Sequence, residues 1–295
     1  MTPIARIFAA VGAWAAYLVP IGAMAQPAAD CPQAAHFVDV SQGSAGPRYA
    51  KPELSVSCTG DQFVVRSNGI PNFEFVAITP NPLQAQRYAW RIPRFPKPSA
   101  DPQQVPLLGP TAVMVNGLPF FGPNEAPEHG TADPYLDKLL DFCGGHTGPG
   151  GMYHFHILPV CLFDKVEGRA ALVVGYAFDG YPILAPTECA DAACATVRKV
   201  RSSWRRENSQ RNVWTANSYV AGHGDLDRCN GMTRPDGTYA YYATETFPYG
   251  PACYRGVVTL NQPGMGGGGG PGGPKGDKGP KGPPPGMGPP PGGPR

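Results

Sequence analysis

The chain has 295 residues, 42% of them hydrophobic and only 16% charged, with a formal net charge of +2. That balance excludes both an acidic disordered chain and a polybasic nucleic-acid binder. Its 39 glycines and 37 prolines run to about twice the usual share, which disfavours long helices and points to short strands joined by tight turns, an all-β or β-dominated domain.

In chain order, residues 1–25 read as a secretory signal peptide. Arg6 supplies the positive start, residues 7–21 are apolar, and Ala23, Met24 and Ala25 form a small-x-small cleavage signal before Gln26. Fifteen apolar residues broken by Pro20 fall short of the ~20 that span a bilayer, and no later apolar run approaches that length. The expected product is exported, periplasmic or extracellular, with no transmembrane segment.

Residues 26–262 read as one β-rich domain. Strands are expected over 62–66, 112–121, 153–158, 171–178, 214–220, 239–244 and 257–260, each β-branched or aromatic and bounded by turn-forming residues. One short helix is expected after Asp133, which can cap it before Pro134, with Leu136, Leu139 and Leu140 as its apolar stripe and Cys143-Gly144 as its end. Eight cysteines, at 31, 58, 143, 161, 189, 194, 229 and 253, imply disulfides in an exported chain. Eight cysteines allow 105 connectivities; proximity and symmetry favour 31 with 58, 143 with 161, 189 with 194 and 229 with 253.

The chain also repeats itself. Residues 140–153 (LDFCGGHTGPGGMY) align without gaps on 226–239 (LDRCNGMTRPDGTY) with eight identities, and residues 116–123 (NGLPFFGP) echo 179–186 (DGYPILAP). The order of short motif then long motif occurs twice, so two related β units are expected, over 112–162 and 175–256, each with an Asn-Gly or Asp-Gly turn. Together they predict a disulfide-stapled sandwich or barrel-like domain. Residues 263–295 form a Gly/Pro-rich tail with four collagen-phase triplets from Gly273. These are too few for a triple helix and read as a disordered, polyproline-like extension that contacts cell wall or polymer.

Chemistry concentrates in three of the six histidines. His154 and His156 flank Phe155 on an expected strand, so both imidazoles leave one face with origins roughly 6.5 to 7 Å apart. His146 lies on the preceding glycine-rich turn, from which it can fold back toward them. The second copy carries Met232, Ala240 and Tyr242 at those places, which separates the histidines from the scaffold. His146, His154 and His156 are therefore the candidate ligands of one metal, copper or zinc. Half-buried histidines bonded to backbone are the competing explanation. Asp141 and Asp179 could supply a fourth ligand or orient a histidine but read first as turn residues, and His129 and His223 cannot be placed from sequence. No hydrolase serine motif, zinc-protease helix, phosphate loop or dinucleotide motif is present, so catalytic residues and a reaction stay unassigned, with no organic cofactor expected.

The run Tyr153-His154-Phe155-His156, with Ser67-Asn-Gly-Ile-Pro, residues 141–146 (DFCGGH), 175–183 (GYAFDGYPI), 226–231 (LDRCNG) and 246–249 (TFPY) followed by Cys253, resembles the YHYH domain family from about 67 to 256. The resemblance implies an exported protein of uncharacterised activity. Phe155 departs from the family's third motif residue, and residues 239–242 (YAYY) lack the histidines that relatives often carry in the second hairpin. A non-catalytic cell-envelope module, contacting polysaccharide or protein through its aromatic hairpins, is the alternative to a metal site; partners are unknown.

Overall fold

The structure, a computed structural model, describes residues 31–164, 166 and 168–258; the expected signal peptide, the Gly/Pro tail and the end of the last expected strand lie outside them. A first sheet joins β1 (Leu54–Thr59), β2 (Gln62–Ser67) and β3 (Tyr88–Pro93) in sequence order. After β4 (Pro98–Gln104), the chain enters an eight-stranded sheet through the hairpin β5 (Pro110–Met114) and β6 (Pro119–Phe121), then adds the hairpin β7 (Gly145–Thr147) and β8 (Tyr153–Phe155). The second unit repeats this with β9 (Val173–Ala177) and β10 (Pro182–Leu184). It continues through the two-stranded sheets of β11 (Thr187–Cys189) with β12 (Val197–Lys199) and β13 (Trp204–Arg206) with β14 (Asn217–Tyr219). The hairpin β15 (Gly231–Thr233) and β16 (Tyr239–Tyr242) follows, and β17 (Cys253–Gly256) returns to pair with β4.

The large sheet has the order β15-β16-β10-β9-β5-β6-β8-β7, which is symmetric about its centre. β5 and β9 meet antiparallel at Val113 opposite Tyr176, positions that correspond in the two units. β6 lies parallel to β8 with Phe120 opposite Phe155, and β10 lies parallel to β16 with Ile183 opposite Tyr241, again corresponding positions. The two expected β units are thus two halves of one continuous sheet, related by a pseudo-two-fold axis. The linear order ends at β15 and β7 and closes no barrel.

The first sheet covers the centre of the large one, giving a sandwich-like core. Phe63 on β2 packs edge-on against Tyr176 at 5.0 Å between ring centroids, and Trp90 on β3 meets Phe178 at 5.9 Å. Trp90, Phe63, Ile92, Phe120, Tyr153 and Phe155 are all essentially buried; a side chain of that size contributes roughly 1.5 to 3 kcal/mol on leaving water. All four disulfides form as proximity suggested: Cys31–Cys58, Cys143–Cys161, Cys189–Cys194 and Cys229–Cys253.

Four expectations shift. The helix expected after Asp133 stops at a turn: Asp133 Oδ1 accepts from Tyr135 N at 2.9 Å and Leu136 N at 3.2 Å, as a cap would, but Lys138 adopts φ 58°, which a right-handed helix cannot continue. The α-helix is instead Val213–Ala216, capped by Asn212, where strand 214–220 was expected; only Asn217–Tyr219 of that strand forms. The expected strand 112–121 folds into a hairpin at Asn116-Gly117, whose glycine has φ 81°. Residues 257–258, the described part of the last expected strand, are not in a strand.

Candidate metal centre

His146 and His154 are directly opposed on β7 and β8, so their side chains leave the same face of the hairpin. His146 is therefore a strand residue, not the turn residue expected; the turn itself is made at Pro149–Gly151, where Gly150 and Gly151 take φ 78° and 72°. His156 follows His154 by two residues on the same side. Its backbone N–H donates to Gly144 O at 3.0 Å, holding the chain in line beyond the end of β8.

A half-buried clamp sets the hairpin. Asp141 Oδ1 accepts from Cys143 N at 2.9 Å and Gly145 N at 3.2 Å, and Tyr153 Oη donates to both carboxylate oxygens at 2.9 Å. Burial pushes the Asp141 carboxyl above its ordinary value, against these hydrogen bonds, which favour the ionised form. The second unit builds the same clamp from Asp227, Cys229 N, Gly231 N and Tyr239 Oη. Asp141 is therefore scaffold. Asp179 is more than a turn residue: fully buried, it accepts from Tyr241 Oη at 2.6 Å and Gly256 N at 2.8 Å, tying β16 and β17 together.

On this scaffold the three histidines converge. His146 Nε2 lies 3.1 Å from His154 Nε2 and 3.2 Å from His156 Nε2, and one ligand atom from each residue lies within 4.8 Å of the others. All three rings are buried, at 1 to 4% exposure. The opposite ring nitrogens face backbone carbonyls: His146 Nδ1 on Leu139 O at 2.8 Å, His156 Nδ1 on Gly122 O at 2.8 Å, and His154 Nδ1 on Met152 O at 3.4 Å. A neutral imidazole carries one proton, and three carbonyls use all three. The Nε2 lone pairs are then left facing one another. Burial holds each ring below its ordinary range, His156 down to about 3 and His154 well below it; neighbouring rings add to the effect at His154 and His156, while the Glu125 charge opposes it at His146. The cluster thus resists taking up protons and could hold a metal ion. Phe121 stacks on His154 at 4.0 Å and closes one wall.

One acidic residue that sequence reasoning missed lies beside the cluster, against His146. Glu125 Oε1 lies 3.4 Å from His146 Nε2, is buried, and has no hydrogen-bond partner. Its signal was available: two residues beyond the shorter repeat, Glu125 aligns with Glu188. His129 and His223 are exposed and stay outside the cluster. Two surface grooves, sharing a wall at Tyr135, Lys199 and Tyr249, include none of the three histidines.

The chain belongs to the YHYH protein family, whose description "YHYH protein" matches residues 89–256. Both hairpins, and every group within the cluster, fall inside that span. No curated protein and no solved structure matches the chain.

Proposed function

We propose that the protein is exported and binds one transition-metal ion, copper or zinc, through His146, His154 and His156. The convergence of three Nε2 atoms, with the opposite nitrogens committed to backbone carbonyls, carries this reading. A metal about 2.0 to 2.1 Å from each nitrogen in tetrahedral geometry sets the nitrogens about 3.3 to 3.4 Å apart, and the two shortest separations are 3.1 and 3.2 Å. Carbonyl partners on the outer nitrogens fix tautomer and orientation in the way that metal-bound histidines require. Imidazole suits both metals, and copper is favoured by intrinsic affinity.

Export is supported by the 1–25 segment and by four disulfides, which persist outside the reducing cytosol. Among the described residues no helix is long and apolar enough to cross a membrane. The 263–295 tail is read as a tether to cell wall or polymer; deletion after Gln262 that leaves surface association unchanged removes that role. No reaction is assigned. The test is metal content of untagged protein exported through its own signal, compared with the H146A/H154A/H156A triple variant. About one equivalent of a single metal in the wild type, absent from a folded triple variant, is the expected result. No uptake of copper or zinc by the wild type after incubation makes the histidines structural.

A further inference from the structure

The two units contain an internal control for the charge at the histidine cluster. Gly122 to Glu125 in the first unit corresponds to Ala185 to Glu188 in the second, and the hairpin positions of His146, His156 and Gly148 correspond to Met232, Tyr242 and Arg234. In the second unit the carboxylate is fully matched. Arg234 Nε donates to Glu188 Oε2 at 2.6 Å and its Nη2 to Oε1 at 3.2 Å, and Tyr242 Oη donates to Oε2 at 2.5 Å. Glu188 has no exposure, and its buried charge is met by a cation as well as by hydrogen bonds.

The first unit keeps the carboxylate and lacks the cation. Gly148 stands where Arg234 would be, and Glu125 Oε1 is buried without a hydrogen-bond partner, 3.4 Å from His146 Nε2. A buried acceptor left unpaired is costly, and the sheet already shows how the same scaffold satisfies it. The separation from His146 Nε2 also equals the edge expected between two ligands of one tetrahedral ion, about 3.3 to 3.4 Å. The geometry points to Glu125 as the fourth, anionic group of the metal centre, so that a divalent cation fills in the first unit the place that the Arg234 guanidinium fills in the second. This rests on the three-histidine reading and adds to it the charge of the ligand set: three neutral nitrogens and one carboxylate, a set suited to zinc(II) or copper(II).

The experiment measures zinc(II) and copper(II) affinity by competition with a chromophoric chelator, alongside thermal denaturation of the metal-free proteins. Glu125→Gln is expected to melt no lower than wild type without metal, since it removes a charge whose Oε1 is buried without a hydrogen-bond partner. Its metal affinity is expected to fall by about tenfold to a hundredfold, the scale seen for groups that support a metal site. Gly148→Arg, at a position whose φ of −96° accommodates any residue, is expected to abolish uptake by placing a guanidinium against Glu125. Gly148→Ala controls for the added Cβ, which would sit 3.1 Å from His154 Cε1, and is expected to retain uptake. If the triple alanine variant loses metal while Glu125→Gln or Gly148→Arg binds as the wild type does, the Glu125 assignment is overturned and the histidine reading stands. A Glu125→Gln protein that melts lower with unchanged affinity also overturns it, because Glu125 is then structural. If the wild type takes up neither metal, both readings fall.

Discussion

Arg234→Met tests the charge matching in the second unit, because it keeps an unbranched apolar stem and removes the cation. The Glu188 carboxylate it would abandon is fully buried and bridged by two guanidinium contacts, at 2.6 and 3.2 Å. Breaking one side of a buried ion pair costs about 3 to 5 kcal/mol. Two features favour the lower end: Tyr242 Oη and Cys189 N, at 2.5 and 2.7 Å, still donate to the carboxylate, and the Arg234 side chain is 16% exposed. At about 2 to 4 °C per kcal/mol for a domain of this size, a loss of about 3 kcal/mol lowers the melting temperature by about 6 to 12 °C. Circular dichroism at neutral pH with disulfides intact reads that shift. Adding Glu188→Gln to Arg234→Met should recover part of the loss, since it removes the stranded charge, and the pair should couple by more than about 1 kcal/mol. A melting temperature within about 2 °C of wild type for Arg234→Met, or no recovery in the double variant, would refute the claim that this carboxylate needs a cation.

Zinc at about a hundredfold excess over its dissociation constant should add about 2.7 kcal/mol to stability, or about 5 to 11 °C, in the wild type and nothing in the triple alanine variant; scanning calorimetry with and without zinc decides. Tyr153→Phe and Tyr239→Phe, which break corresponding clamps on Asp141 and Asp227, should each cost about 1.5 to 3 kcal/mol. A large inequality in denaturant midpoints would break the structural equivalence. Gly145→Ala should destabilise by more than about 2 kcal/mol and abolish zinc uptake, because its Cβ would collide with His154 O and Tyr153 Oη; a variant that still binds zinc counts against the hairpin geometry. Asp179 gives a pH signature. Burial raises its carboxyl from 3.8 to about 6, so the folded state holds the proton more tightly than the unfolded chain. Its contribution is therefore greatest below about pH 4 and is lost as pH rises through about 6, up to roughly 3 kcal/mol in all. Asp179→Asn should gain stability relative to wild type between pH 5 and 7; a constant difference across that window would show that the carboxyl is not buried with a raised affinity for protons.

The sequence carried the parts of this protein that recur at fixed spacing. The repeat of 140–153 in 226–239 anticipated two hairpins that the sheet places at opposite edges, and the alternation of His154, Phe155 and His156 put two imidazoles on one face because strand geometry leaves no other choice. Disulfide pairs between near neighbours were legible for a similar reason. What escaped was set by tertiary contacts. A helix after Asp133 has cap, proline and leucine stripe in place, yet the segment supplies a carbonyl acceptor instead: Leu139 O meets His146 Nδ1, and the chain turns back at Lys138. Residues 213–216 gain their helical turn from Asn212, whose side chain caps Trp214 and Thr215, although the local sequence is aromatic and β-branched. Glu125 was missed for a different reason: a lone glutamate after a Pro-Asn step has no periodicity to mark it, and its one signal was the alignment with Glu188 beyond the end of the shorter repeat. Only its counterpart Glu188 gives it meaning. Two sites built on one backbone plan, one closed by arginine and tyrosine and one by three histidines with the arginine replaced by glycine, differ in net charge by the cation that Arg234 supplies. The folding scaffold is the same in both, so what separates them is how each carboxylate is met: Arg234 matches Glu188, whereas Gly148 leaves Glu125 Oε1 without a hydrogen bond.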